Sequence, residues 1–376
     1  MKIKDLSKRD VFLDLVKVIA IFLVIANHCV DNVTAAQRSE PWYNLWGSFY
    51  NTFSRPSIPL FVMVSGILLM PVKMKMGEFY TKKISRLIIP FLFWSILYNL
   101  FPWFTGLLNL DPSVINIFFK WVEPTQELMP ALKNIAMIPF TFTYFDVQMW
   151  YVYMLIGLYL YIPIFSAWVE KSTKNEQRIF LGIWFISMFI PYLRNYLVNN
   201  LWGVCSWNEF GMFYYFAGFS GYLLLGYHLV KHPLQISNRS RYLLATLSFV
   251  IGYLVTFVGF KNITAIPGQS EAMVELFFTF CSPNAALMSF GLFIALQNIE
   301  FKGGRMSQLI VKVSEASFGI WMCHYLFVGP VYLLVHKLPF HVLVNTLITN
   351  LITITLSFLL VVLIRKTGKF GRKIIG

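Results

Sequence analysis

A few reactive side chains stand inside segments that are otherwise apolar, and their spacing indicates what they could do. Val11 to Asp31, VFLDLVKVIAIFLVIANHCVD, is mostly apolar yet holds Asp14, Lys17 and His28. An ionisable group within a bilayer is costly enough to mark a functional position by default. Lys17 and His28 are eleven residues apart. That is about three turns at ~3.6 residues per turn, so a helix presents both on one face, roughly 16 Å apart. Asp14 lies one turn before Lys17 on that face, where it can neutralise the lysine. Lys83 and Arg86, at i and i+3, form a two-point basic clamp that suits phosphate oxygens, which arginine can bind bidentately.

Three further groups belong to the set. Arg55 opens the stretch SRPSIPLF, which runs into Val64-Ser65-Gly66. Pro59 and Gly66 can break or kink that helix, and Gly66 allows another helix to approach closely. Trp150, with Tyr151 and Tyr153, offers an aromatic wall for a sugar ring. Ser317 and His324, seven residues apart, share a face over two turns. For His324 the expectation is a buried histidine bonded to a neighbouring helix. His228, His232, His336 and His341 read as loop or interface residues. Each group also has a plainer role to set against the chemical one. Lys17 and Arg55 can snorkel to headgroups, Lys83 and Arg86 can be ordinary inner-loop charge, and Trp150 can belong to an interfacial belt.

The elements that must position these residues are transmembrane helices. The chain is 57% hydrophobic and 13% charged, with a mean hydropathy of +0.63, far above a soluble domain's balance. Hydropathy and helix breakers predict an all-α integral membrane protein with ten spans near 11–31, 57–71, 86–106, 148–168, 178–198, 211–230, 241–260, 274–297, 315–335 and 342–364. The apolar run after Lys2, Lys4, Lys8 and Arg9 is too long for a cleaved signal and reads as a retained first span. The stretch 107–147 reads as an outer loop with a re-entrant or interfacial piece at Ile135–Phe145.

The net charge of +14 is not gathered into a nucleic-acid-binding patch. It recurs in the loops on one side: Lys73, Lys75, Lys82, Lys83 and Arg86, then Lys171, Lys174 and Arg178, then Lys231, Arg239 and Arg241. Lys302, Arg305 and Lys312 continue it, and Arg365, Lys366, Lys369, Arg372 and Lys373 end it. The other side holds only Arg38, Arg55, Lys120, Lys133, Arg194, Lys261 and Lys337. That asymmetry puts both termini in the cytoplasm and His28 near the outer face. The four cysteines have no CxxC spacing, so neither a metal nor a disulfide framework is expected. Without HExxH, Walker A or GxSxG motifs, metalloprotease, P-loop ATPase and α/β-hydrolase readings lack support. No soluble domain is visible, so residues 1–376 read as one polytopic domain.

As a set, these pieces resemble the membrane acyltransferase-3 family, whose members O-acylate glycans and lipids. They are Asp14, Lys17 and His28; Arg55 through Ser65-Gly66; Lys83, Arg86 and Pro90; the Trp150 aromatic span ending at Pro163; and Ser317 through His324. They run in the family's order over nearly the whole chain and are similar to those of enterobacterial-common-antigen-type O-acetyltransferases. One departure is Lys17, where the family usually has arginine; the charge is kept and the planar fork is lost.

The resemblance implies a cytoplasmic acyl-CoA donor, most simply acetyl-CoA, and a hydroxyl acceptor on a cell-surface glycan or lipid-linked saccharide. It implies a bacterial inner membrane. Lys83, Arg86 and Lys17 would hold the CoA phosphates. Histidine, with an ordinary pKa of about 6.5, suits a base near neutral pH, so His28 would take the acceptor's proton. Arg55 would stabilise the oxyanion or hold an anionic acceptor. Asp14, Ser65, Trp150, Ser317 and His324 would support the site or the substrate, and an acyl-His28 intermediate is the less favoured variant. No metal and no nucleic acid are expected. The rival reading is a transporter or flippase, since broken, charged spans fit that class too; the lack of an inverted repeat and the shared Lys17/His28 face favour the enzyme.

Overall fold

A computed structural model of the protein describes residues 11–36, 41–120, 122–264, 266, 273, 275–299, 301 and 303–376. Lys2, Lys4, Lys8 and Arg9, which precede the first apolar run, and Arg38 and Lys302, which entered the charge reading, lie outside the described residues. The described residues are helical and form no β-strand. In chain order the helices are α1 (Val11–Ala36), α2 (Pro41–Ser54), α3 (Ser57–Leu69), α4 (Met76–Lys83), α5 (Ser85–Leu107), α6 (Ser113–Phe118), α7 (Leu128–Met137), α8 (Trp150–Lys171) and α9 (Lys174–Ser187). They continue as α10 (Ile190–Tyr196), α11 (Ser220–Lys231), α12 (Asn238–Thr264), α13 (Pro283–Leu296), α14 (Arg305–Cys323), α15 (Tyr325–Val335), α16 (Val342–Lys366) and α17 (Lys369–Ile374).

Among the described residues seven helices are long and apolar enough to cross a membrane, or eight if the bent pair α14–α15 counts as one. These match eight of the ten predicted spans. The predicted spans 211–230 and 274–297 contain α11 and α13, of 12 and 14 residues. At about 1.5 Å per residue such helices are shorter than the ~30 Å hydrocarbon layer.

The chain divides into two compact units. The first comprises Met1–Val24, Asn44–Val72 and Ile164–Ser314. Its packing rests on glycines. A Cβ on Gly66 would lie 2.1 Å from the Leu223 carbonyl oxygen, and one on Gly226 would lie 2.3 Å from that of Met63. The two glycines thus let α3 and α11 touch backbone to backbone, the close approach expected of small residues in membranes. Pro59 does not kink α3. It sits in the first turn, where its missing N–H has no intrahelical partner to lose, and the helix runs on to Leu69. Thr173 and Glu176 form a reciprocal capping box that starts α9 at the end of a short loop.

The second unit comprises Ile25–Tyr43, Lys73–Pro163 and Glu315–Gly376. Here α4 and α5 run on as one rod, because Ile84 between them keeps helical dihedrals (φ −70°, ψ −39°). Lys82 and Glu78 pair at 2.6 Å on its exposed surface, an arrangement worth little in water. Trp94 donates its indole N–H to the Ile374 carbonyl at 2.9 Å and so ties α5 to α17. The most unusual feature is the 83° bend between α14 and α15 at His324. A backbone ladder cannot run through such a bend, so side chains must take carbonyls there. Tyr98 donates its hydroxyl to Met322 O at 2.6 Å, and His324 Nδ1 approaches Trp321 O at 2.6 Å. The connection at 107–147 carries α6, which packs on α15, and α7, whose Met129, Leu132 and Met137 are exposed as on an interfacial helix.

Candidate active site

Within the second unit the elbow at His324 meets the C-terminal part of α1. The Tyr325 hydroxyl lies 3.1 Å from Nδ1 of His28. The His28 ring centroid is 5.1 Å from that of His324 and 5.0 Å from that of Tyr325. His28 and Tyr325 are partly buried, and His324 is completely buried. A straight helix would carry His324 and Tyr325 to different sides; the bend is what turns both toward one imidazole.

His324 differs from the expectation in one respect. Its hydrogen bond goes to Trp321 O in its own helix, three residues back, and not to a neighbouring helix. A carbonyl only accepts, so Nδ1 carries the proton and Nε2 carries the lone pair. Nε2 has no hydrogen-bond partner among the described residues. His228, expected in a loop or at an interface, stands in the last turn of α11, buried with Nδ1 2.8 Å from Gln177 Oε1.

Four of the remaining candidates fall in the first unit. Asp14 is buried and accepts from the Ser314 hydroxyl at 2.5 Å. Lys17 is partly buried in α1. Ser65 returns its hydroxyl to Phe61 O at 3.0 Å, an ordinary bond to the preceding helical turn. Arg55 is not a snorkelling cation. It is 6% exposed, donates to Asn51 O at 3.2 Å, to Phe278 O at 3.0 Å and to Ser54 Oγ at 3.1 Å, and also bonds Asn51 Oδ1. Its guanidinium carbon lies 4.7 and 5.0 Å from the Phe278 and Phe280 ring centroids, so aromatic faces replace part of its hydration.

The other candidates belong to the second unit. Lys83 ends α4, and Arg86 is exposed at the start of α5; the unbroken helical geometry at Ile84 keeps their i, i+3 relation. Trp150 begins α8 and is partly buried, and Ser317 is buried in α14. Three residues escaped the sequence reading. Tyr325 is signalled only by its place directly after His324. Asp146 and Gln148 stand just before Trp150, a carboxylate and an amide two residues apart at the mouth of a span, and both are wholly buried. Trp321 joins them to the elbow. Its indole N–H points to the Gln148 carbonyl at 3.4 Å, and its ring packs on Tyr151 at 4.4 Å.

A half-buried imidazole beside a phenol and a second imidazole is equipped to take up and pass on a proton. No curated protein and no solved structure matches the chain. The sequence profile described as Acyltransferase domain matches residues 10–366, nearly the full length, and the chain belongs to this family of membrane acyltransferases, the acyltransferase-3 family.

Proposed function

We propose that the protein is a multi-pass acyl-CoA-dependent O-acyltransferase that moves an acetyl group to a hydroxyl of a cell-surface glycan or lipid-linked saccharide. In this reading residues 1–376 act as one catalytic domain, with ten crossings, cytoplasmic termini and residence in a bacterial inner membrane. The charge asymmetry of the loops supports that orientation. The observation that carries the chemistry is the His28–Tyr325 hydrogen bond beside His324 at the elbow of a broken span.

With Nδ1–H of His28 donated to the phenolic oxygen, Nε2 holds the lone pair. It takes the acceptor's hydroxyl proton as the oxygen attacks the thioester carbonyl. The new C–O bond forms, the C–S bond to CoA breaks, and the proton passes to the leaving thiolate. Lys83 and Arg86 hold the donor's phosphates; Lys17, about 16 Å back along α1, serves the donor end as well. For Arg55 the reading keeps the role that its motif implies, stabilising an oxyanion or holding an anionic acceptor.

The test is transfer from radiolabelled acetyl-CoA to membrane vesicles containing the protein. Label in a glycan or lipid-linked saccharide is expected. Vesicles that move saccharide and form no labelled ester would favour a transporter.

A further inference from the structure

The end of the first unit that the loop charges place in the cytoplasm gathers cations the proposed chemistry does not use. There α9 and α11 are pinned together by one buried bond. Gln177 Nε2 donates to Ser172 Oγ at 3.1 Å, so Gln177 Oε1 accepts from Nδ1–H of His228 at 2.8 Å. One turn on, the ring of His232 lies 5.0 Å from that of His228. Lys174 and Arg178 of α9 and Lys231 of α11 are exposed beside this pair. That the three cations meet in one place is registered at His232, just beyond the end of α11. Its pKa is held below the ordinary imidazole value, first by desolvation and then by the charges of Lys174, Lys231 and Arg178. The charges of Arg178 and Lys174 reach the His228 ring as well.

The fold does not neutralise this cluster. Among the described residues Lys174, Arg178, Lys231 and His232 make no ion pair. The acid nearest to Arg178 in sequence, Glu176, is engaged in the capping box, where its Oε2 accepts from Thr173 N at 2.6 Å and Thr173 Oγ1 at 2.7 Å. Lys174 and Arg178 are like charges at i and i+4, and Lys174 stands at the positive end of the α9 dipole; both arrangements oppose folding in small measure. A cation cluster that folding disfavours and no acid neutralises is complementary to an anion from outside. The adjoining residues narrow the choice. Ile179, next to Arg178, is 63% exposed, and Val230, next to Lys231, is 38% exposed. A soluble phosphate would use the cations and leave this apolar surface bare, whereas a phospholipid carries phosphate and hydrocarbon together. We infer that the ends of α9 and α11 form a site for an anionic phospholipid of the cytoplasmic leaflet, its phosphate on Lys174, Arg178 and Lys231 and its chains along Ile179 and Val230. Basic pockets between spans on the cytoplasmic side recognise such headgroups. The site uses the orientation proposed above and is independent of acyl transfer and of the Lys83–Arg86 clamp, which belongs to the second unit.

The experiment offers the full chain, in a neutral detergent, an equimolar mixture of phosphatidylglycerol and phosphatidylcholine with the same acyl chains. Native mass spectrometry counts the lipid that stays bound. Wild type is expected to retain phosphatidylglycerol in preference to phosphatidylcholine. The combined variant Lys174→Gln, Arg178→Gln and Lys231→Gln should lose that preference by about tenfold or more, since each cation near an anionic headgroup is worth roughly fivefold. Its thermal midpoint in phosphatidylcholine nanodiscs should equal or exceed that of wild type, because exposed, mutually repelling charges are removed and no packing is lost. Lys366→Gln, Lys369→Gln and Lys373→Gln together remove the same charge from the second unit and should keep the preference. Inorganic phosphate and CoA, added separately as competitors, should leave phosphatidylglycerol bound. Equal retention of both lipids by wild type, or a preference that survives in the first variant, would overturn the site. So would an equal loss in the second variant, which would reduce the effect to net charge, and displacement by phosphate or CoA, which would make this a site for a soluble phosphate. Where the triple variant accumulates poorly, Arg178→Glu alone gives the same reading: lost preference supports the site and kept preference overturns it.

Discussion

The phenolic oxygen of Tyr325 stands 3.1 Å from Nδ1 of His28, although 297 residues separate the two in sequence. A bond at Nδ1 fixes the ring's orientation and decides which nitrogen faces a reactant. Replacing Tyr325 with phenylalanine keeps the ring contact and removes only the bond. The turnover number should fall about three- to tenfold, the range expected for one neutral hydrogen bond, with both KM values little changed. Steady-state kinetics on purified Tyr325→Phe measures this, and an unaltered turnover number would remove the residue from the mechanism.

His28→Ala should reduce transfer by ~100-fold or more if the imidazole is the general base. Binding of CoA should persist, because the clamp for its phosphates is a separate set of residues. Product formation and CoA binding measured on one preparation distinguish this from loss of folding. Near-normal turnover would end the mechanism even with the enzyme class intact.

Lys83→Gln combined with Arg86→Gln should weaken acetyl-CoA binding by roughly tenfold or more, since hydrogen bonds to charged groups are worth about 1.5–3 kcal/mol each. Isothermal titration with CoA reads the effect directly. Unchanged affinity returns the pair to ordinary inner-loop charge.

Gly226→Ala should lower the thermal midpoint or prevent accumulation of folded protein, because the added methyl would sit 2.3 Å from a backbone carbonyl that cannot yield as a side chain can. Gly182→Ala in α9 is the matched control: nothing lies within 4 Å of its added Cβ, and alanine favours a helix by up to ~1 kcal/mol over glycine. Fluorescence-detected size exclusion after heating compares the two.

Orientation can be checked independently of activity. A cysteine introduced at Leu110 should react with an impermeant thiol reagent in intact cells, and one introduced at Met74 should react only after permeabilisation. The reverse pattern would place His28 on the cytoplasmic side.

Much of this arrangement can be read from local patterns. Helical periodicity in α1 puts Lys17 and His28 on one face, and the charge of the loops needs no tertiary information. Gly66 announces a close helix contact because the absence of a side chain is itself the signal. The elbow is different. Trp321-Met322-Cys323-His324-Tyr325 contains no proline or glycine, and Pro330 sits farther on, inside α15. The bend is sustained by Tyr98 and by the His324 ring, and no local propensity records a partner so distant in sequence. The cover of Arg55 is hidden for the same reason: it comes from Phe278 and Phe280, more than two hundred residues away in sequence. Asp146 and Gln148 look like loop polarity until burial shows that they face no solvent.

The elbow at His324 also sets a mechanical property of the span. Its angle is held by two side-chain bonds, Tyr98 to Met322 O and His324 Nδ1 to Trp321 O, where an uninterrupted helix would rely on amide ladders. Side-chain bonds can be cut one at a time without altering the backbone's composition. Tyr98→Phe would therefore soften the joint while leaving His28, His324 and Tyr325 in place. Hydrogen exchange at the flanking amides would then report how stiff a joint acyl transfer requires.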